Sequence, residues 1–161
     1  MDFIIRDMRK KDIVQVQKVA RTSWHSTYEG IIPRAIQDRF LDSAYSDGML
    51  ENRLKRSIIF IAEVDGEVVG FANYSPVNKE GMTELTALYL YQAYQGKGIG
   101  TALLAEGKLR LQGVKAIYIN VEKNNEIGMN FYKAKGFEVV SEFDDQLDGH
   151  TLKTVRMVLR V

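Results

Sequence analysis

The sequence contains no cysteine. A disulfide, a thiolate nucleophile and a thiolate metal site are therefore all excluded, and with them acyl transfer through a cysteinyl intermediate. Histidine is almost as scarce. His25 and His150 are the only two, they stand far apart and neither sits in a metal-ligand spacing, so no metal is expected. An excess of one charge is missing as well, because 22 Lys and Arg offset 21 Asp and Glu to leave +1. That balance gives no sign of a nucleic-acid or membrane partner. Long apolar runs are absent from the N-terminus, where MDFIIRDMRKKD meets charge after two or three apolar residues. The run is too short for a signal peptide or a membrane span, and a cytoplasmic location is the expectation.

What is present suffices for one ordinary core: 161 residues, 45% of them hydrophobic, read as a single domain over residues 1–161. A short strand over 3–6 precedes an amphipathic helix that carries Ile13, Val16, Val19 and Ala20 at helical spacing. Residues 24–33, WHSTYEGIIP, read as a helix end and a structured loop, and Pro33 suits the first turn of a helix to about Leu41. A further short helix is expected over 47–56. Residues 58–64, the pair Asp65-Gly66 and residues 68–74 match a β-hairpin, since Asp-Gly tolerates the positive φ angles of a type I′ turn. Strands follow over 84–91, 115–122, 137–143 and 151–159, with helices from Gly98 to about Gln112 and from Ile127 to Gly136. Alternating strands and helices flanked by hairpins predict an α/β architecture: a mixed sheet with helices on both faces. The last two strands are expected to be joined by an acidic loop, DDQLDGH, which with Glu142 offers a surface for a cationic substrate or a solvated hairpin.

The stretch ELTALYLYQAYQGKGIGT, residues 84–101, reads as a strand, a glycine turn and the start of a helix. Gly96, Gly98 and Gly100 leave backbone N–H groups uncovered at the positive end of a helix dipole, which is a phosphate site. A kinase-type phosphate loop needs Ser or Thr after its Gly-Lys, and here Gly98 follows Lys97. A dinucleotide fingerprint needs a third glycine where Thr101 stands. Glu122, about twenty residues on, suits a ribose-binding acid, but only about forty residues remain for the further βα units that fold requires.

Gln95-x-x-Gly98-x-Gly100 in this setting, followed by Asn125-x-x-Gly128-x-x-Phe131-Tyr132-x-x-x-Gly136-Phe137, resembles the GNAT superfamily of acyl-CoA-dependent N-acyltransferases. That family shows Q/R-x-x-G-x-G/A and later N-x-x-A-x-x-F-Y-x-x-x-G-F. Gly128 replaces the usual alanine. The segment Ser23-Trp24-x-x-x-Tyr28-x-Gly30-Ile31-Ile32-Pro33 is similar to one branch that includes polyamine acetyltransferases.

The resemblance implies about seven strands flanked by about four helices, with acetyl-CoA as co-substrate. The N–H groups of Gln95, Gly96, Lys97, Gly98, Ile99, Gly100 and Thr101 would converge on its pyrophosphate. Leu88, Tyr89 and Leu90 would line the pantetheine arm, whose missing-strand pairing falls to the backbone of Leu88 and Leu90, and one of these N–H groups would donate to the thioester oxygen. Attack requires a neutral amine, and at pH 7 concentrating that form of a primary amine costs about 4 to 5 kcal/mol. Glu84 stands where the family often has its base, although a solvated strand-end glutamate reads equally well. Tyr132 occupies the position of the acid for the departing thiolate, and Asn125 would lie near the pantetheine or cap its helix. Trp24 and Tyr28 would form one wall of the acceptor site. The implied reaction is acetyl transfer to a primary amine of a small molecule, a polyamine or amino compound, by direct attack in a ternary complex. A CoA-binding sensor and a protein N-acetyltransferase stay open as alternatives, as does a homodimer.

Overall fold

The computed structural model describes residues 1–161. In chain order it contains β1 (Ile4–Asp7), α1 (Ile13–Tyr28), α2 (Arg34–Ala44), α3 (Asp47–Arg56), β2 (Ile58–Val64), β3 (Glu67–Tyr74), β4 (Met82–Leu90), α4 (Ile99–Arg110), β5 (Ala116–Glu122), α5 (Glu126–Ala134), β6 (Glu138–Leu147) and β7 (His150–Arg160). Two 3-10 turns, Lys10–Asp12 and Gln92–Tyr94, precede α1 and α4. The strands form one sheet in the order β1-β2-β3-β4-β5-β7-β6. Every neighbouring pair is antiparallel except β4 and β5, which run parallel.

Strand β2 shows why helices cover both faces, because its alternate side chains enter two cores. Phe60, Ala62 and Val64 pack with Leu103 and Leu104 of α4, while Ile59 and Ile61 pack with Val16, Val19 and Ala20 of α1, Leu41 of α2 and Leu50 of α3. Asp65 and Gly66 take φ of 50° and 81°, the type I′ hairpin the sequence predicts.

The structure departs from the sequence reading at the C-terminal hairpin. Strand β6 continues to Leu147, so residues 144–147 are not loop but strand. The turn is again an Asp-Gly pair, Asp148 and Gly149 at φ of 51° and 80°. Charge hid the strand: β6 is an exposed edge, so its side chains need not alternate with apolar ones. Two of its carboxylates are also taken up, Glu142 by Lys123 at 3.0 Å and Asp144 by Lys153 at 3.4 Å. The hairpin tip is held against α2 by Arg39 to Asp148 and against the α1–α2 connection by His150 Nε2 to the Ile31 carbonyl at 3.0 Å. Five α-helices stand where about four are expected. Pro33 precedes the first turn of α2 rather than entering it, and α4 ends at Arg110, short of Gln112.

Candidate active site

Strands β4 and β5 pair over only three residues, Met82 with Ala116, Thr83 with Ile117 and Glu84 with Tyr118. Beyond that point they part. A β-bulge contributes, since Asn73 and Tyr74 of β3 face Ala87 and Leu85, leaving Thr86 as the extra residue of β4. The Thr86 hydroxyl donates to the Asn73 carbonyl at 3.1 Å and so fixes the bulge. The resulting V opens a cavity of about 720 Å³ bounded by β4, β5, the end of α1, the glycine turn and α5, within the usual range for ligand sites.

The free edge of β4 supplies backbone donors and acceptors to this cavity. Antiparallel pairing places Tyr89 opposite Phe71 and Leu88 opposite Ala72, and the N–H of Tyr91 donates to Val69 at 3.0 Å. Because hydrogen-bonded pairs alternate along such a ladder, Tyr89 and Ala87 bond to β3, and Leu88 and Leu90 direct their N–H and C=O groups toward the gap. The Ser23 hydroxyl, buried on α1, donates to the Leu90 carbonyl at 2.9 Å and pins this edge.

At the cavity's end the turn brings a second set of donors. Gly96 and Gly98 adopt φ of 74° and 86°, a region closed to most side chains, and Gly98 is the residue before α4. The N–H groups of residues 96–101 make no backbone hydrogen bond, so the helix start presents them unsatisfied. Gly100 has a different role, since a Cβ there would lie 3.2 Å from the Phe131 ring. It lets α5 sit against the start of α4.

Helix α5 carries the third part of the site. The Asn125 side chain caps it, accepting from the N–H of Gly128 at 3.0 Å. A Cβ at residue 128 would lie 2.4 Å from the Asn125 amide, so an alanine there would require the Asn125 side chain to shift. The helix ends in a Schellman motif: the N–H of Gly136, at φ 97°, donates to Lys133 at 3.1 Å, and that of Phe137 donates to Tyr132 at 3.0 Å. Tyr132 is thereby locked between Phe131 and Phe137, each with a ring centroid 5.3 Å away. Burial pushes its hydroxyl far above the ordinary tyrosine value, as burial also pushes Tyr28 up to about 12.

Of the residues the sequence singles out, Leu88, Tyr89, Leu90, Gln95, Gly96, Gly98, Gly100, Thr101, Asn125, Tyr132 and Tyr28 line the cavity together. Four do not. Lys97 is exposed on the turn and Ile99 is fully buried in the core, so neither side chain enters, although both offer their N–H. Trp24 stacks on Phe40 at 4.5 Å and meets Tyr28 at 4.7 Å, placing it behind Tyr28. Glu84 stands at the base of the V with both carboxylate oxygens on the Arg156 guanidinium, one of them at 3.2 Å. That hydrogen bond raises the Arg156 pKa, and the guanidinium also donates to the Asn120 side-chain oxygen at 3.0 Å and covers the Tyr118 ring. Sequence reasoning missed Ser23, Asn120 and Asn124. Ser23 alone left a signal, as a polar residue in the apolar stripe of Val16, Val19 and Ala20. No group of three or more His, Asp or Glu is placed to hold a metal, and no helix is long and apolar enough to cross a membrane.

The model of the acetyltransferase (GNAT) family matches residues 18–137. An uncharacterized N-acetyltransferase of Bacillus subtilis, YuaI, is 33% identical over 157 residues, covering 94% of this chain and 89% of that protein. The spermidine N(1)-acetyltransferase of Thermoplasma acidophilum is 31% identical over 147 residues, covering 86% and 90%. Among solved structures, the PaiA N-acetyltransferase of Thermoplasma acidophilum in complex with coenzyme A superposes with a TM-score of 0.87 at 27% identity over 100% of both chains. The chain belongs to the acetyltransferase (GNAT) family and is an N-acetyltransferase.

Proposed function

We propose that the protein transfers the acetyl group of acetyl-CoA to a primary amine of a small molecule, a polyamine ahead of other amino compounds, by direct attack within a ternary complex. The observation that carries this reading is the convergence, in one cavity, of a free strand edge at Leu88 and Leu90, the unsatisfied N–H groups of residues 96–101 and the Tyr132 hydroxyl. The turn binds the pyrophosphate, the free edge takes the pantetheine arm as a substitute for the missing pairing with β5, and an N–H of that edge faces the thioester oxygen as it gains charge. Tyr132, protonated at neutral pH, gives its proton to the departing CoA thiolate, and the proton shed by the attacking amine restores the hydroxyl. The polyamine preference is supported by the similarity to a spermidine N(1)-acetyltransferase across most of both chains.

Glu84 fits a base less well than its position in β4 suggests. Both of its oxygens are occupied by the Arg156 guanidinium and are not presented to an incoming amine while that contact holds. In this proposal it serves as base only when the Arg156 contact opens, and otherwise the ion pair holds the base of the V together. The test is release of free thiol from acetyl-CoA against a panel of spermidine, spermine, short monoamines, amino acids and a peptide with a free N-terminus. Acceptor-dependent thiol release greatest with the polyamines is the expected result. CoA binding without thiol release for any acceptor points to a sensor instead, and release with the peptide alone points to protein acetylation.

A further inference from the structure

Two carboxylates in the chain are buried, Asp12 at 1% exposure and Glu122 at 7%. Buried charges in proteins are paired, because leaving water uncompensated is costly. Asp12 follows that rule, with its oxygens 2.8 and 2.9 Å from the Arg6 guanidinium. Glu122 does not. Its oxygens accept only from the backbone N–H of Asn124 at 3.0 Å and the Asn124 amide at 3.1 Å, which are neutral donors. The cations on the neighbouring strands are engaged elsewhere: Lys123 with Glu142, Lys153 with Asp144 and Arg156 with Glu84.

The position of this unpaired charge gives it a use. Glu122 ends β5 at the open side of the V, on the strand face of Asn120; Asn120 and Val121 line the cavity, and the Glu122 carboxylate does not line it itself but is bonded by Asn124, which does. Asn124 and Tyr28 line it as well, and the charge of Glu122 is felt at the Tyr28 hydroxyl. A neutral cap would satisfy Asn124 equally well, so the turn alone does not call for a carboxylate. We infer that Glu122 is the anionic group that receives an ammonium of the acceptor, and that the cation it lacks within the chain is supplied by the substrate. The inference rests on the acetyltransferase reading above and names the residue by which that site selects a cationic amine. Glu122 then holds the acceptor against Tyr28 while the reacting nitrogen faces the thioester.

The test is calorimetric titration of spermidine, and separately n-propylamine, into the CoA-saturated protein, comparing wild type with Glu122→Gln and Glu122→Asp. Amine affinity should fall roughly tenfold to a hundredfold in Glu122→Gln, as for loss of a charge-assisted hydrogen bond, and recover in Glu122→Asp. CoA affinity and the melting temperature of each variant report on the fold. Equal amine affinity in wild type and Glu122→Gln overturns the inference, as does a loss that Glu122→Asp does not recover, or a wild type that binds neither amine. Thiol release measured in parallel separates the two proposals. Glu122-dependent amine binding without acetyl transfer supports the inference and removes the enzyme reading, whereas transfer unaffected by Glu122→Gln keeps the enzyme and removes Glu122.

Discussion

Tyr132 is held from several sides. The Schellman motif fixes its carbonyl, Phe131 and Phe137 flank its ring, and burial keeps its hydroxyl protonated. A proton donor whose pKa is raised stays protonated up to that raised value, so the hydroxyl proposed as the acid is present throughout the neutral and mildly alkaline range. The acceptor amine moves the other way, since its reactive neutral form grows about tenfold per pH unit below a pKa near 10.4. Turnover per acceptor concentration is therefore expected to rise with pH from 6 to at least 9, with no falling limb from Tyr132 below its ordinary value of about 10. Tyr132→Phe removes the donor and keeps the packing. The expected outcome is a loss in kcat of about 10²- to 10⁴-fold, the usual contribution of general acid catalysis, with CoA affinity retained. Steady-state thiol release over that pH range, with CoA titration of both proteins, checks both statements. An unchanged kcat in Tyr132→Phe sinks the assignment.

Among the elements, the two glycines before α4 separate conformational need from contact. Gly98 stands at φ 86° with nothing within 4 Å of an added Cβ, whereas Gly100 has ordinary φ and a Cβ there would press on Phe131. Gly98→Ala is thus expected to cost about 1 to 2 kcal/mol through backbone strain alone, and to weaken CoA binding because the turn must relax away from its donor geometry. Gly100→Ala is expected to disturb the α4–α5 contact instead and to slow turnover through Tyr132. Melting temperatures and CoA affinities of the two variants distinguish these effects, and a Gly98→Ala protein with wild-type affinity would show that the turn does not need its left-handed residue. The same glycines made this element legible in the sequence, as did Asp65-Gly66 and Gly136, because positive φ narrows the choice of residue. Structure that depends on partners distant in sequence was less legible. Asp144 and Asp145 read as loop because nothing local shows that β7 pairs with them, and Glu84 reads as a free carboxylate because Arg156 lies seventy-two positions away.

The molecule as a whole is a sheet with an unfinished seam. On one side of the seam β1 to β4 are sandwiched by α1, α2, α3 and α4, and on the other β5, β7 and β6 complete the sheet with α5 against them. Strand pairing joins the halves only from Met82 to Glu84 with Ala116 to Tyr118. Below that join no strand stands opposite Leu88 and Leu90, so their N–H groups depend on water or on a ligand. If the pantetheine arm takes the place of a strand, it will do so at these two residues and not at Tyr89, whose N–H already faces β3. Amide hydrogen exchange measures this directly. In the free protein Leu88 and Leu90 are expected to exchange faster than Ala87 and Tyr89, and saturating CoA is expected to slow them at least tenfold while leaving Ala87 and Tyr89 nearly unchanged. The N–H groups of residues 96–101 should slow in the same experiment as they close on the pyrophosphate. Protection at 96–101 with no change at Leu88 and Leu90 would place the phosphates as proposed but carry the arm along another wall of the cavity, and the thioester oxygen would then need a donor other than β4.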